Sequence, residues 1–185
     1  MDQTLSIWLD KVVHLARQGR TLAEVVKIKR GKELVNIGAY CLMPNHFHLL
    51  LQEKEDGGIS RFMQKLLTGY TMYFNKRQDR TGALFQGKFQ SRHVDEDNYL
   101  KYLVAYIHLN PVKLIDTKWK ENGISNRERA EKYLEEYSYS TYPEYTGKDR
   151  VEKAIIERDS LPDYFETVKS FKSNIKDWLN FKVEP

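Results

Sequence analysis

The chain has 185 residues, 41% hydrophobic and 30% charged, with a net charge of only +4. This fits one soluble domain with a real core and at most a small appendage. One cysteine, Cys41, excludes an internal disulfide framework and a multi-cysteine zinc site, and no apolar run approaches the length of a membrane span.

The start, MDQTLSIWLDKVV, carries an early acidic residue and no apolar block before a small-residue cleavage site, which excludes a secretory signal. A cytoplasmic protein is expected. Residues 4–18 place Leu5, Trp8, Leu9, Val12 and Val13 near helical spacing, which predicts an amphipathic helix; residues 21–30 are ambiguous. Residues 34–43, LVNIGAYCLM, predict a strand, Pro44-Asn45 a turn, and residues 46–52 a second, antiparallel strand. An apolar stripe running from Ile59 through Met63, Leu66 and Tyr70 to Phe74 predicts a helix capped at Ser60 and ending near residues 75–77. LFQGKFQSRHV, residues 84–94, reads as a further strand with a bulge at Gly87. Asp95 is the expected cap of the next helix, which must stop near Asn110 because Pro111 disfavours a helical residue before it. Residues 126–137 predict a charged helix and residues 138–147 a loop, with short helices to the end. The order is that of an α+β fold, a small antiparallel sheet with helices packed on it.

The chemistry centres on MPNHFHLLL, residues 43–51. Side chains alternate along a strand, so His46 and His48 share a face with Leu50, and Phe47, Leu49 and Leu51 are expected to face the core. Two imidazoles two strand positions apart can grip one cation; a hydrogen-bonded structural pair is the plainer alternative. On the later helix Tyr102, Tyr106 and Asn110 fall on one i, i+4, i+8 line. Asn110 offers a carbonyl oxygen suited to Mg²⁺ or Mn²⁺, and Tyr106 a phenol able to attack a phosphate. Most of the twelve tyrosines must be packing or surface residues, so this spacing alone leaves both roles open. Residues 61–92 hold seven basic side chains, Arg61, Lys65, Lys76, Arg77, Arg80, Lys88 and Arg92, against one acid, Asp79. With Tyr and Phe interleaved, such a segment suits phosphate contacts and base stacking on single-stranded nucleic acid, or it is a solvated helix face.

Three stretches, AYCLMPNHFHLLL, GYTMYFNKRQDRTGALFQGKFQSRHVD and YLVAYIHLNPVK, follow one another in order and together resemble the REP-associated tyrosine transposases, single-tyrosine HUH nucleases related to small bacterial insertion sequences. The resemblance runs from about residue 35 to residue 145. It implies a ferredoxin-like HUH sheet, a catalytic domain over residues 1–147 and a helical C-terminal extension over 148–185. It also implies an endonuclease and strand transferase that cuts single-stranded DNA at hairpins through a 5′-phosphotyrosine. The nucleophile would be Tyr106, and the ligands of a Mg²⁺ or Mn²⁺ ion His46, His48 and Asn110. The basic residues would contact the hairpin, and the protein would be nucleoid-associated, as a monomer or a homodimer.

The family's first strand, which precedes the first helix and lies beside the histidine strand, has no counterpart in the sequence. That departure keeps a second reading alongside the first: an inactive, truncated or domesticated protein that binds hairpin nucleic acid without cutting it. A hydrolase of small phosphoesters using the same histidines is a third.

Overall fold

The computed structural model describes residues 20–28 and 31–179; the helix expected over residues 4–18 lies outside them. After a single turn of helix, α1 (Leu22–Val25), the expected hairpin forms from β1 (Val35–Leu42) and β2 (Phe47–Glu53). Its turn at Pro44-Asn45 is closed by the Met43 N–H donating to the His46 carbonyl at 2.8 Å. The described residues form two compact units, one from those up to Asn36 with Gln52–Arg92, the other from Ile37–Leu51 with those from His93 onward.

The first unit is built on α2 (Gly58–Arg77), which ends where the sequence predicts. Its start differs: the cap is Gly57, with φ 69°, rather than Ser60, and the Glu53 carboxylate accepts from the Ile59 N–H at 3.0 Å. A carboxylate there satisfies an orphan donor and complements the helix dipole, so Ser60 has no cap to make. Gly58 is required sterically, since a Cβ would lie 2.4 Å from the Leu34 carbonyl oxygen.

Residues 84–94 are not a strand. Their approach is instead folded back on α2. The Asn75 amide donates to the Gly82 carbonyl at 2.8 Å, Arg80 donates to the Ala83 carbonyl at 3.1 Å, and the Phe85 ring lies 6.2 Å from that of Tyr70.

The second unit holds most of the core. α3 (Asp97–Leu109) is capped at Glu96 rather than Asp95 and runs at Asn110–Leu114 into a 3₁₀ turn containing Pro111. Then come α4 (Trp119–Asn122), α5 (Arg127–Glu136), α6 (Tyr142–Tyr145) and, after three short 3₁₀ turns, α7 (Val168–Leu179). Val104 and Leu109 of α3 are buried with Leu134, Tyr142, Tyr145, Phe165, Phe171 and Ile175. Ile107 is buried with Ala39 and Cys41 of β1.

Leu50 packs against both clusters, which corrects the expected orientation of β2: the face carrying His48 is the one turned to α3. The expected loop at 138–147 also does more than connect. Ser140 bridges Cys41, the Leu42 N–H donates to the Tyr139 carbonyl, and the Thr141 N–H donates to the Tyr40 carbonyl. Residues 139–141 thus occupy an edge of β1, satisfying backbone groups that an open edge would expose. The architecture is α+β, a two-stranded sheet with helices packed on it. No helix among the described residues is long and apolar enough to cross a membrane.

Candidate active site

The start of β2, with His46 just ahead of the strand rather than in it as expected, and the end of α3, with Asn110 just past it, bring together residues that are about sixty positions apart in sequence. The His46 and His48 rings lie edge to face with centroids 5.1 Å apart, and the Tyr106 ring stands 5.3 Å from that of His48. The Asn110 side-chain amide is 3.2 Å from His48 Nε2. Asn110 is only 2% exposed and His48 is half-buried, so the contact joins a buried amide to a ring that still meets solvent. It follows from Pro111: the helix turns into the 3₁₀ segment there, and the last side chain of the Tyr102, Tyr106, Asn110 line is held under β2. The Tyr102 and Tyr106 rings lie 5.9 Å apart, and Tyr99 stacks on Tyr102 at 6.1 Å, so aromatic rings continue along α3 from the histidine pair.

The histidines differ in environment. His46 is exposed, and its Nδ1 lies 2.7 Å from the Asn45 side-chain oxygen. The oxygen can only accept, so it meets an N–H at Nδ1, and in the neutral ring that tautomer leaves the lone pair on Nε2. His48 is half-buried. Burial first, then the neighbouring charges of His46 and Lys120, push its pKa down to about 4. It is therefore neutral at pH 7, the form that ligates a cation.

Among the described residues no three of His, Cys, Asp and Glu gather into a metal-holding group. A cation at this place would rest on two imidazole nitrogens and an Asn110 oxygen, after the amide turned its oxygen toward His48. Such a donor set suits a divalent ion that keeps open positions for water and phosphate oxygens.

Sequence reasoning missed Lys120. Its ammonium donates to the Tyr106 phenol oxygen at 3.1 Å and sits 4.3 Å from the centre of the Tyr106 ring. Nothing in the spacing could have found it, because it lies beyond Pro111, where the helical pattern breaks. His108 does not join the site: it is fully buried and bonded to the Val104 carbonyl and to Thr141. His93 is exposed.

The seven basic residues all belong to the first unit. Arg61 is committed locally, to the Asp56 carbonyl at 3.0 Å and to Glu55 at 2.5 Å. Arg77 donates to the Tyr73 hydroxyl at 2.9 Å, and Arg80 holds the Ala83 carbonyl. Lys76, Lys88 and Arg92 are exposed and Lys65 is half-buried.

No curated protein and no solved structure matches the chain. The family described as "Transposase IS200 like" matches residues 11–110, more than half of the sequence. The matched stretch contains both histidines and Tyr106 and ends at Asn110. The chain therefore belongs to the IS200-like transposase family, whose members act on DNA.

Proposed function

We propose that the chain is a REP-associated-type tyrosine transposase that cuts and rejoins single-stranded DNA at hairpins. The observation that carries this reading is the convergence of Tyr106, His46, His48 and Asn110 at the junction of β2 and α3. In the cutting step the Tyr106 oxygen forms a bond to phosphorus and the bond from phosphorus to the 3′-oxygen breaks. The phenol proton leaves to solvent and the departing 3′-oxygen takes one up. The products are a 5′-phosphotyrosine and a free 3′-hydroxyl. Attack by a 3′-hydroxyl reverses the step and conserves the phosphodiester.

A Mg²⁺ or Mn²⁺ ion held by His46, His48 and Asn110 would supply Lewis acidity toward the scissile phosphate. The protein's own part is positional. Burial keeps His48 neutral, Asn45 fixes the His46 tautomer, and α3 aims the phenol at the same place.

The test uses purified protein and labelled single-stranded hairpin oligonucleotides with Mn²⁺ or Mg²⁺. A covalent adduct that survives denaturing electrophoresis is expected. It should be lost with EDTA and in Tyr106→Phe, and reduced at least tenfold in His48→Ala. An adduct persisting in Tyr106→Phe refutes the nucleophile. Tight hairpin binding that is indifferent to EDTA, with no adduct under any condition, favours the non-cutting binding protein.

A further inference from the structure

Lys120 is placed by its surroundings rather than by chance of a long side chain. The segment that carries it is closed at its base by Asp116, whose carboxylate accepts from the Ser125 N–H at 3.0 Å and from the Ser125 hydroxyl at 2.8 Å. Between these ends Trp119 and Ile124 pack against the main core cluster, and the short helix α4 stops at Gly123, φ 77°. With Trp119 turned inward, the next residue is turned outward along α3. Its ammonium reaches the Tyr106 oxygen and ring. Lys120 is exposed and has no carboxylate partner among the described residues. It is an uncommitted cation beside the one oxygen on which the cutting reaction depends.

We propose that Lys120 is a catalytic residue that holds the Tyr106 oxygen before attack and carries the charge of the phosphate joined to it afterwards. The inference rests on Tyr106 being the nucleophile. A phenol oxygen accepts through two lone pairs. One is taken by Lys120, which leaves the other directed away from it for phosphorus. When the oxygen–phosphorus bond forms and the bond to the 3′-oxygen breaks, the non-bridging oxygens of the new phosphotyrosine lie beside an ammonium already in place. A lysine suits this task as a mobile point charge with three donors, able to keep the tyrosyl oxygen and reach a phosphate oxygen in turn. The phosphate contact itself requires no metal, so binding can be examined without one.

Two measurements separate this assignment from the nucleophile reading. The first is binding of a single-stranded hairpin oligonucleotide to Tyr106→Phe and to Tyr106→Phe/Lys120→Ala in EDTA, across a salt series. In Tyr106→Phe the ammonium has lost its phenol partner and is left to the scissile phosphate of the bound strand, so removing it should shallow the slope of log K against log salt by about 0.7. The second is the rate of adduct formation in the otherwise unaltered protein. Lys120→Ala should slow it about tenfold, less than the loss of a buried oxyanion donor because the lysine is exposed. Lys120→Arg should restore both, and the melting temperature should not change.

A lysine that merely packs on the ring would leave the salt slope alone. An unchanged slope overturns the proposal whatever the adduct rate does. If the unaltered protein forms no adduct yet the slope falls in the lysine variant, the nucleophile reading fails and the phosphate contact stands.

Discussion

Burial holds His48 and His108 at about the same pKa, near 4, yet the two residues answer to different needs. His48 keeps its lone pair toward Asn110, where a cation can compete for it. His108 uses both nitrogens internally. The Val104 carbonyl can only accept, so Nδ1 carries the proton and Nε2 accepts from the Thr141 hydroxyl. Tyr142, Tyr145 and Phe171 surround the ring, which leaves no room for water. The unfolded chain protonates such a histidine near pH 6.5, while the folded chain does so only near 4. Stability from this group is therefore complete above pH 6.5 and declines as pH falls toward 4, by on the order of 3 kcal/mol. Denaturant unfolding at pH 7.5, 6, 5 and 4.5 should show that decline, and His108→Gln should flatten it even though the variant starts less stable. The sequence already placed His108 off the Tyr106 face, since two helical positions differ by about 200°. It could not show the burial, because Thr141 lies 33 residues on. Lys120 was hidden for the same reason, being fourteen residues past Tyr106 across a helix break.

At the level of elements, periodicity was a good guide wherever one element's own pattern decided the outcome. The β1–β2 hairpin, α2, α3 and α5 all stand where hydrophobic spacing and turn residues predict them. It failed at residues 84–94, whose strand-like composition meets no ladder; the preceding loop is instead hooked to α2 through Asn75 and Arg80, and Phe85 lies beside Tyr70 of that helix. It also failed at α6, where Ser, Tyr, Pro and Gly read as a loop although Tyr142 and Tyr145 are buried and the Tyr145 hydroxyl donates to the Gly38 carbonyl at 2.7 Å. What secures this corner is one ion pair. Glu144 is 4% exposed, and Arg150 meets it through two nitrogens at 2.6 and 2.8 Å while also donating to the Ser138 and Ser140 carbonyls. Arg150→Ala leaves a buried carboxylate and two carbonyls unpaired, and should cost about 3–5 kcal/mol. Arg150→Lys keeps the charge but not the fork, and should fall between. Urea unfolding of the three proteins gives the order directly. The double variant Arg150→Met/Glu144→Leu should recover most of the loss, because no buried charge remains alone.

For the molecule as a whole, net charge is a poor guide to the DNA-binding surface and local commitment is a better one. Thirty basic residues nearly balance twenty-six acidic ones, so the field of the protein is weak and binding must come from cations left uncommitted. The seven basic residues of residues 61–92 looked equivalent in sequence, and the structure divides them. Arg61 ties Glu55 and the Asp56 carbonyl at the start of α2, where Glu55 also pairs with Lys32. Arg80 binds the Ala83 carbonyl and lies over the Phe74 ring. Lys76 and Lys88 are exposed and have no ion-pair or hydrogen-bond partner among the described residues, which leaves them to solvent and phosphate. Phosphate contacts show themselves in the salt dependence of binding, whereas folding contacts show themselves in stability. Lys76→Ala/Lys88→Ala should therefore shallow the log–log salt slope for a single-stranded hairpin by about 1.4, two contacts at roughly 0.7 each, with the melting temperature unchanged. Arg61→Ala should do the reverse, lowering the melting temperature while leaving the slope nearly as it was. A slope that falls equally in both variants would return all the basic residues of this segment to one undivided patch.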